Sequence, residues 1–146
     1  MLTKPAMPSL LSVVALALGC SAFTGPADFP HAVAHFQCGP TDGPATGITL
    51  ASRPIPPAGP SFPYVTIMIE QPLSAIAGRT FLVGSGAGAT YFAGPNSYES
   101  ASTGRVIIGS VDADSTITGN VSLSFSSRQV MDGFNAVWVQ RTMLCG

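Results

Sequence analysis

The residues of this chain that could carry out chemistry include both of its histidines, which lie close to a cysteine. His31, His35 and Cys38 are spaced at i, i+4 and i+7. On a helix this spacing would place three metal ligands on one face. The segment ends at Gly39-Pro40, and its composition argues for a strand instead. His31 and His35 are therefore weak candidates for metal binding, and the alternative is that they face solvent or pack against neighbours.

A second set of candidate ligands is the alternating run Asp112, Asp114 and Thr116. Acidic residues at alternate positions are typical of the start of a calcium loop, but an EF-hand needs Gly at the sixth position and Glu at the twelfth. Those positions hold Ile117 and Leu123. We predict a hairpin turn whose Asp side chains satisfy backbone amides. Asp112 and Asp114 remain weak candidates for a surface metal site, and no cofactor is predicted.

Glu70 and Glu99 could form the pair of carboxylates that glycosidases use. The chain otherwise offers little equipment for acid or base catalysis, because its one lysine is Lys4 and no grouping of serine, histidine and acid stands out. We therefore expect a non-enzymatic protein. The alternative is a small hydrolase or carbohydrate-active enzyme that uses Glu70, Glu99 or the turn containing Asp112 and Asp114.

The glycine-rich segment Gly84-Ser85-Gly86-Ala87-Gly88 could aim backbone amides at a phosphate group. A dinucleotide-binding loop, however, has the spacing GxGxxG and opens a helix. Here the spacing is GxGxG, and the residues from Ala89 to Phe92 are typical of a strand. The segment predicts a hairpin connection between two strands.

The first twenty residues have the organisation of an export signal. Lys4 precedes an apolar stretch over residues 10–18, which is too short to span a bilayer. The stretch ends at Ala17-Leu18-Gly19-Cys20, which resembles the lipobox of bacterial lipoproteins, where a small residue precedes a cysteine that is lipidated. The resemblance implies a signal peptide over residues 1–19, a lipid on Cys20 that anchors the chain in a membrane, and a tether over residues 20–30.

The same resemblance suggests a location. Ser21 follows the cysteine, whereas Asp at that place retains enterobacterial lipoproteins at the inner membrane, so the outer membrane is favoured. The alternative is a secreted or periplasmic protein, because Ala17 and Gly19 also satisfy the small-x-small rule of ordinary signal peptidase.

Three cysteines are an odd number for an exported protein, so one of them should have another role. If Cys20 carries lipid, Cys38 and Cys145 remain as a pair. A disulfide between them would close a loop of about 108 residues, which stabilises a domain by on the order of 4 to 5 kcal/mol in the chain-entropy model.

Composition excludes several classes of function. The chain has 146 residues, of which 46% are hydrophobic and 9% charged, with 6 Lys plus Arg against 7 Asp plus Glu. Six cations cannot supply the basic patch that nucleic-acid binding requires. A coiled coil needs more charged residues, and disorder is disfavoured by the high apolar content.

Alternating polarity predicts an all-β domain over residues 31–146. Between Thr116 and Ser126 every second residue is apolar or glycine and the others are polar, which is the pattern of a strand with one wet face. Further strands are predicted over residues 31–38, 47–51, 64–70, 79–83, 90–93, 105–111 and 134–141. Short strands with frequent turns favour an antiparallel β-sandwich, with a small β-barrel as the alternative.

The stretch from Ile117 to Gly146 resembles the ending of small uncharacterised β-rich lipoproteins of bacteria, which implies no activity. The leading hypothesis is a lipid-anchored envelope protein that acts as a structural or binding module. Its partner would be a protein, a glycan or an apolar ligand, besides the membrane that holds Cys20. A barrel that carries an apolar ligand in its interior is a further alternative.

Overall fold

Nine β-strands account for most of the regular structure in the computed structural model, which describes residues 28–113, 116–141 and 145. The predicted signal peptide, Cys20, most of the tether and Asp114 lie outside these residues. The strands are β1 (His31–Cys38), β2 (Pro44–Ala51), β3 (Tyr64–Ile69), β4 (Thr80–Val83), β5 (Gly86–Gly94), β6 (Ser97–Ser100), β7 (Thr103–Val111), β8 (Thr116–Ser124) and β9 (Gln129–Trp138). A short 3₁₀ turn, Leu73–Ala75, lies between β3 and β4. In the described part of the chain no helix has both the length and the hydrophobicity needed to cross a membrane.

The strands form a closed eight-stranded barrel. Neighbouring strands follow the order β3-β2-β1-β9-β8-β7-β4-β5, and β5 pairs back onto β3 over six residues, from Tyr64↔Phe92 to Ile69↔Ala87. The predicted sandwich is therefore wrong and its alternative, the barrel, is correct. Alternating polarity could not separate the two, because both architectures bury one face of every strand.

The interior of the barrel is filled by side chains that alternate along the strands. The pattern predicted for β8 is confirmed, since Ile117, Val121 and Leu123 are buried. Gly119 shares this inward face, and a Cβ there would lie 2.5 Å from Cζ of Phe134, so the glycine makes room for that ring. Eight strands enclose just enough space for such a packed core.

The connection between β4 and β5 is not the predicted hairpin. The two strands run parallel, with Leu82 opposite Gly86 and Val83 opposite Ala87. The chain makes a tight loop through Gly84 and Ser85 and then resumes in the same direction. Gly84 and Gly86 have φ angles of 84° and 92°, a left-handed conformation that glycine adopts without steric cost.

The β4 strand is a short wedge in the barrel wall. It pairs with β7 on one side and with the first two residues of β5 on the other. Beyond the end of β4, the strand β6 pairs with the same edge of β5, from Thr90 onward. Only Ala101 and Ser102 separate β6 from β7, so the chain of β6 and β7 runs past the tip of the wedge.

The first and last strands form the second unusual seam of the barrel. Their pairing, from Ala32↔Ala136 to Ala34↔Trp138, is parallel. Parallel strands end at the same edge of a sheet, and there Cys38 forms a disulfide with Cys145 at a Cα–Cα distance of 5.5 Å. This is the pair expected from the sequence, and it ties β1 to the chain that follows β9.

We expect reduction of the Cys38–Cys145 disulfide to lower the melting temperature by more than about 10 °C. Opening a loop of this length removes on the order of 4 kcal/mol in the chain-entropy model, and about 1 kcal/mol corresponds to several degrees for a domain of this size. Calorimetry of the mature protein with and without reductant measures the shift. A Cys38→Ser/Cys145→Ser variant with the same melting temperature as the oxidised wild type would contradict the expectation.

Candidate functional site

Four aromatic rings form a continuous row on the outer wall of the barrel. Phe62 lies 5.3 Å from Tyr64, Tyr64 lies 4.8 Å from Phe92, and Phe92 lies 6.0 Å from Tyr98, measured between ring centroids. The planes of successive rings differ by 26°, 20° and 37°. We call these four residues the aromatic stripe.

Strand register brings the stripe together. Tyr64 pairs with Phe92 across β3 and β5, and Phe92 pairs with Tyr98 across β5 and β6. Their side chains point outward because the alternate residues Val65 and Tyr91 are buried in the core. The end rings of the stripe are the most accessible, since Phe62 is 37% exposed and Tyr98 is 70% exposed.

The ring of Tyr98 is therefore a free platform. Among the described aromatic contacts, Tyr98 has a neighbouring ring on one side only, that of Phe92. The inner rings Tyr64 and Phe92 each lie between two others, with Tyr64 stacked on both of its neighbours and Phe92 tilted against Tyr98. A flat ligand could stack on the outer face of Tyr98 with three rings behind it.

The strand that carries Tyr98 is also held by hydrogen bonds of the next residue, Glu99. The Glu99 carboxylate accepts hydrogen bonds from the hydroxyls of Ser126 and Ser127 and, at 3.1 Å, from the backbone N–H of Ser127. The hydrogen bonds from the Ser126 and Ser127 side chains stabilise the charged form and lower the pKa of Glu99. These contacts join the short edge strand β6 to the connection between β8 and β9.

A row of hydroxyl side chains runs beside the aromatic stripe. Thr66 pairs with Thr90, and Thr90 pairs with Ser100. Each lies two residues along its strand from a ring of the stripe, at a spacing of about 7 Å, and so on the same outer face.

Beyond the hydroxyl row lies a cavity of about 430 Å³, which we call the outer cleft. It occupies the gap at the tip of the β4 wedge, between Val83 and Ser100, and Gly88 of β5 forms part of its floor. A Cβ added at Gly88 would have no other atom within 4 Å. The cleft is thus open space above a residue that lacks a side chain.

The outer cleft is electrically neutral. Its lining consists of uncharged residues, including the polar side chains of Gln37, Thr66, Thr90, Ser100 and Ser102. Its volume falls within the usual range of small-molecule sites, about 300 to 1,000 Å³. Its chemistry combines hydroxyl and amide hydrogen bonding with apolar surface, and it offers no ion pair to a charged ligand.

The two histidines lie apart from each other on the first strand. His31 and His35 lie on β1, as the composition predicted, four residues apart and hence separated by about 13 Å along the strand. No group of three His, Cys, Asp or Glu side chains that could hold a metal occurs within residues 28–113, 116–141 and 145.

The ring of His35 has a packing role instead. A Cβ on Gly47 would lie 2.6 Å from its Nε2, so the imidazole covers that glycine, and its Nδ1 is buried without a hydrogen-bond partner. Burial, and then the charge of Arg141, lower the pKa of His35. Both effects favour the neutral imidazole in the folded protein.

The acidic candidates are also dispersed. Asp112 is exposed and its backbone N–H donates to the carbonyl of Thr116 at 2.9 Å, in the predicted hairpin between β7 and β8. Glu70 pairs with the start of β5 through Gly86, and Glu99 pairs with Tyr91. These register positions are five residues apart, roughly 17 Å along β5, whereas glycosidase carboxylates lie about 5 to 9.5 Å apart.

The aromatic stripe and the outer cleft were missed by reasoning from the sequence. The alternation of Tyr64, Thr66 and Met68 with Val65, Ile67 and Ile69 places large side chains on both faces of β3, and this is the signal that could have indicated a functional outer face. Comparisons with protein-family models, with curated proteins and with solved structures find no match to this chain.

We expect the free energy of unfolding to fall as the pH drops below about 6.5, the pKa of an unperturbed histidine. The unfolded chain binds a proton at His35 more readily than the folded chain, so protonation favours unfolding until the pH is below the lowered pKa of the native state. Urea denaturation between pH 7 and pH 5 measures this loss. His35→Gln should flatten the profile, and an unaltered profile in this variant would contradict the assignment.

Proposed function

We propose that the protein is a non-enzymatic binding module of the bacterial envelope, which is anchored by a lipid on Cys20 and engages its ligand through the outer wall of the barrel. The observation that carries the proposal is the aromatic stripe. Four neighbouring rings whose end members are exposed to water, beside a neutral cleft, form a surface suited to recognition.

Two features of the barrel favour an outer site over an interior or catalytic one. The interior is occupied by buried side chains of β2, β3, β7, β8 and β9, which leaves the apolar-carrier hypothesis with little support. Glu70 and Glu99 have register positions far apart along β5, and Glu99 already binds two serines. The hydrolase hypothesis therefore loses its carboxylate pair.

The anchor rests on the lipobox-like sequence that ends at Cys20. The described chain is consistent with a short tether, since Phe29 is buried and its backbone N–H donates to Oδ2 of Asp132 at 2.9 Å. The nine residues from Cys20 to Phe29 could reach at most about 30 Å when fully extended. An outer-membrane location follows from Ser21, again by resemblance.

The anchor predicts incorporation of fatty acid into the wild-type protein and none into Cys20→Ser. Lipid is transferred to the Cys20 thiol, which serine lacks. Growth of cells with an alkyne fatty acid, followed by coupling of the extracted protein to a fluorophore, measures the modification. Ser21→Ala is the matched control and should be labelled like the wild type. An unlabelled wild type would overturn the anchor and leave secretion in its place.

The outer-wall site predicts contact between Tyr98 and an envelope component in living cells. A photoreactive benzoylphenylalanine in place of Tyr98 keeps an aromatic ring at the end of the stripe and should form discrete adducts on irradiation. The same residue in place of Val137 is the control, because Val137 is 57% exposed on β9, which lies opposite β5 in the strand order. Adducts at neither position, or equally at both, would contradict the proposal.

A further inference from the structure

We infer that the outer wall binds a neutral saccharide, with one sugar ring stacked on Tyr98 and its hydroxyl groups bound by the hydroxyl row and the outer cleft. This inference rests on the proposed binding function and names its ligand class. It is carried by the juxtaposition of a free aromatic face, a line of hydroxyl side chains and an uncharged cavity on one face of β3, β5 and β6.

The aromatic part of the site suits the apolar face of a sugar. A pyranose ring presents C–H groups on its flat faces, and these are attracted to the negative face of an aromatic ring. Tyr98 offers such a face because it is 70% exposed and lies at the end of the stripe. The rings of Phe92 and Tyr64 follow behind it in the stripe.

The polar part of the site suits the edge of the same sugar. Ser100 follows Tyr98 by two residues on β6, and Thr90 and Thr66 continue the row across β5 and β3. Hydroxyl groups both donate and accept, as do the hydroxyls of a saccharide. The row therefore provides complementary partners at a distance of about 7 Å from the stacking platform.

The absence of charge from the cleft lining selects among polar ligands. None of the side chains that line it is ionisable, so a phosphate, carboxylate or ammonium group entering it would lose hydration without gaining a counter-ion. A neutral saccharide loses less on the same transfer, because hydrogen bonds to threonine, serine and glutamine replace those to water.

The test is affinity electrophoresis of the mature protein in a detergent whose head group is not a sugar. Native gels containing soluble β-1,3-glucan, dextran or galactomannan are compared with gels containing the anionic polysaccharide alginate. We expect retardation by at least one neutral polysaccharide and none by alginate. Failure of all three neutral polysaccharides to retard the protein would overturn the saccharide assignment, while the adducts at position 98 would still decide the binding function separately.

Variants of the two ends of the stripe locate the site. Tyr98→Ala should weaken binding by about tenfold or more, since the stacking platform is lost, and Tyr98→Phe should retain most of the affinity. Val137→Ala is the matched control, because it removes an exposed side chain from β9 on the opposite wall of the barrel. Equal losses in Tyr98→Ala and Phe62→Ala, together with binding to phosphatidylcholine vesicles, would overturn the saccharide site in favour of membrane docking by the whole stripe.

Variants at the floor of the cleft test its participation. Gly88→Leu places a side chain in open space and should block the cleft without unfolding the barrel, so affinity should fall by about tenfold while the melting temperature stays close to that of the wild type. Gly88→Ala fills less of the space and should have an intermediate effect. Unchanged affinity in a folded Gly88→Leu protein would exclude the cleft and overturn the proposed site.

Discussion

The structure depends on the way in which the chain passes from β4 to β5. A regular hairpin at this point would turn β5 back alongside β4 and pair the two strands antiparallel. The loop at Gly84 and Gly86, both with positive φ, instead makes β5 run parallel to β4. The other edge of β5 then pairs with β3 and closes the barrel. The same loop ends β4 early, so the wall is left with a gap opposite Gly88. Closure of the barrel and the existence of the cleft therefore have one cause.

The closed wall must also be secured where the chain begins and ends. Parallel pairing of β1 with β9 covers only three residue pairs, which is a short seam for a barrel. The disulfide secures one end of β1, and the hydrogen bond from Phe29 to Asp132 secures the other. The Glu99 carboxylate of β6 accepts a hydrogen bond from the backbone N–H of Ser127 in the β8–β9 connection. From the same connection, the Arg128 guanidinium lies 4.3 Å from the centroid of the Tyr91 ring. The edge strand that carries Tyr98 is thereby fixed to the core.

Local patterns in the sequence predicted the strands well and their assembly poorly. The period of two along β8 identified its buried face residue by residue, and the cysteine count indicated the Cys38–Cys145 pair. The choice between sandwich and barrel turned on the pairing of β3 with β5, which depends on long-range register and leaves no local pattern. The stripe was missed for the same reason, because Tyr64, Phe92 and Tyr98 become neighbours only through that register. The hairpin predicted at Gly84–Gly88 was wrong because glycines permit several turn geometries, and the neighbouring strands select among them.

The filled interior and the position of the stripe together constrain how the molecule can act at a membrane. Because the interior is packed, the outer wall is the surface open to a ligand. Tyr64 of the stripe pairs with Ala51, which pairs with His31 at the start of β1. If Cys20 is the anchor, the tether of at most about 30 Å keeps the rings within reach of the lipid surface. The chain after residue 19 carries five arginines against seven acidic residues, so electrostatic attraction to anionic lipid is weak. Contacts at that surface would then be governed by aromatic stacking and neutral hydrogen bonds, which salt screens far less than ion pairs.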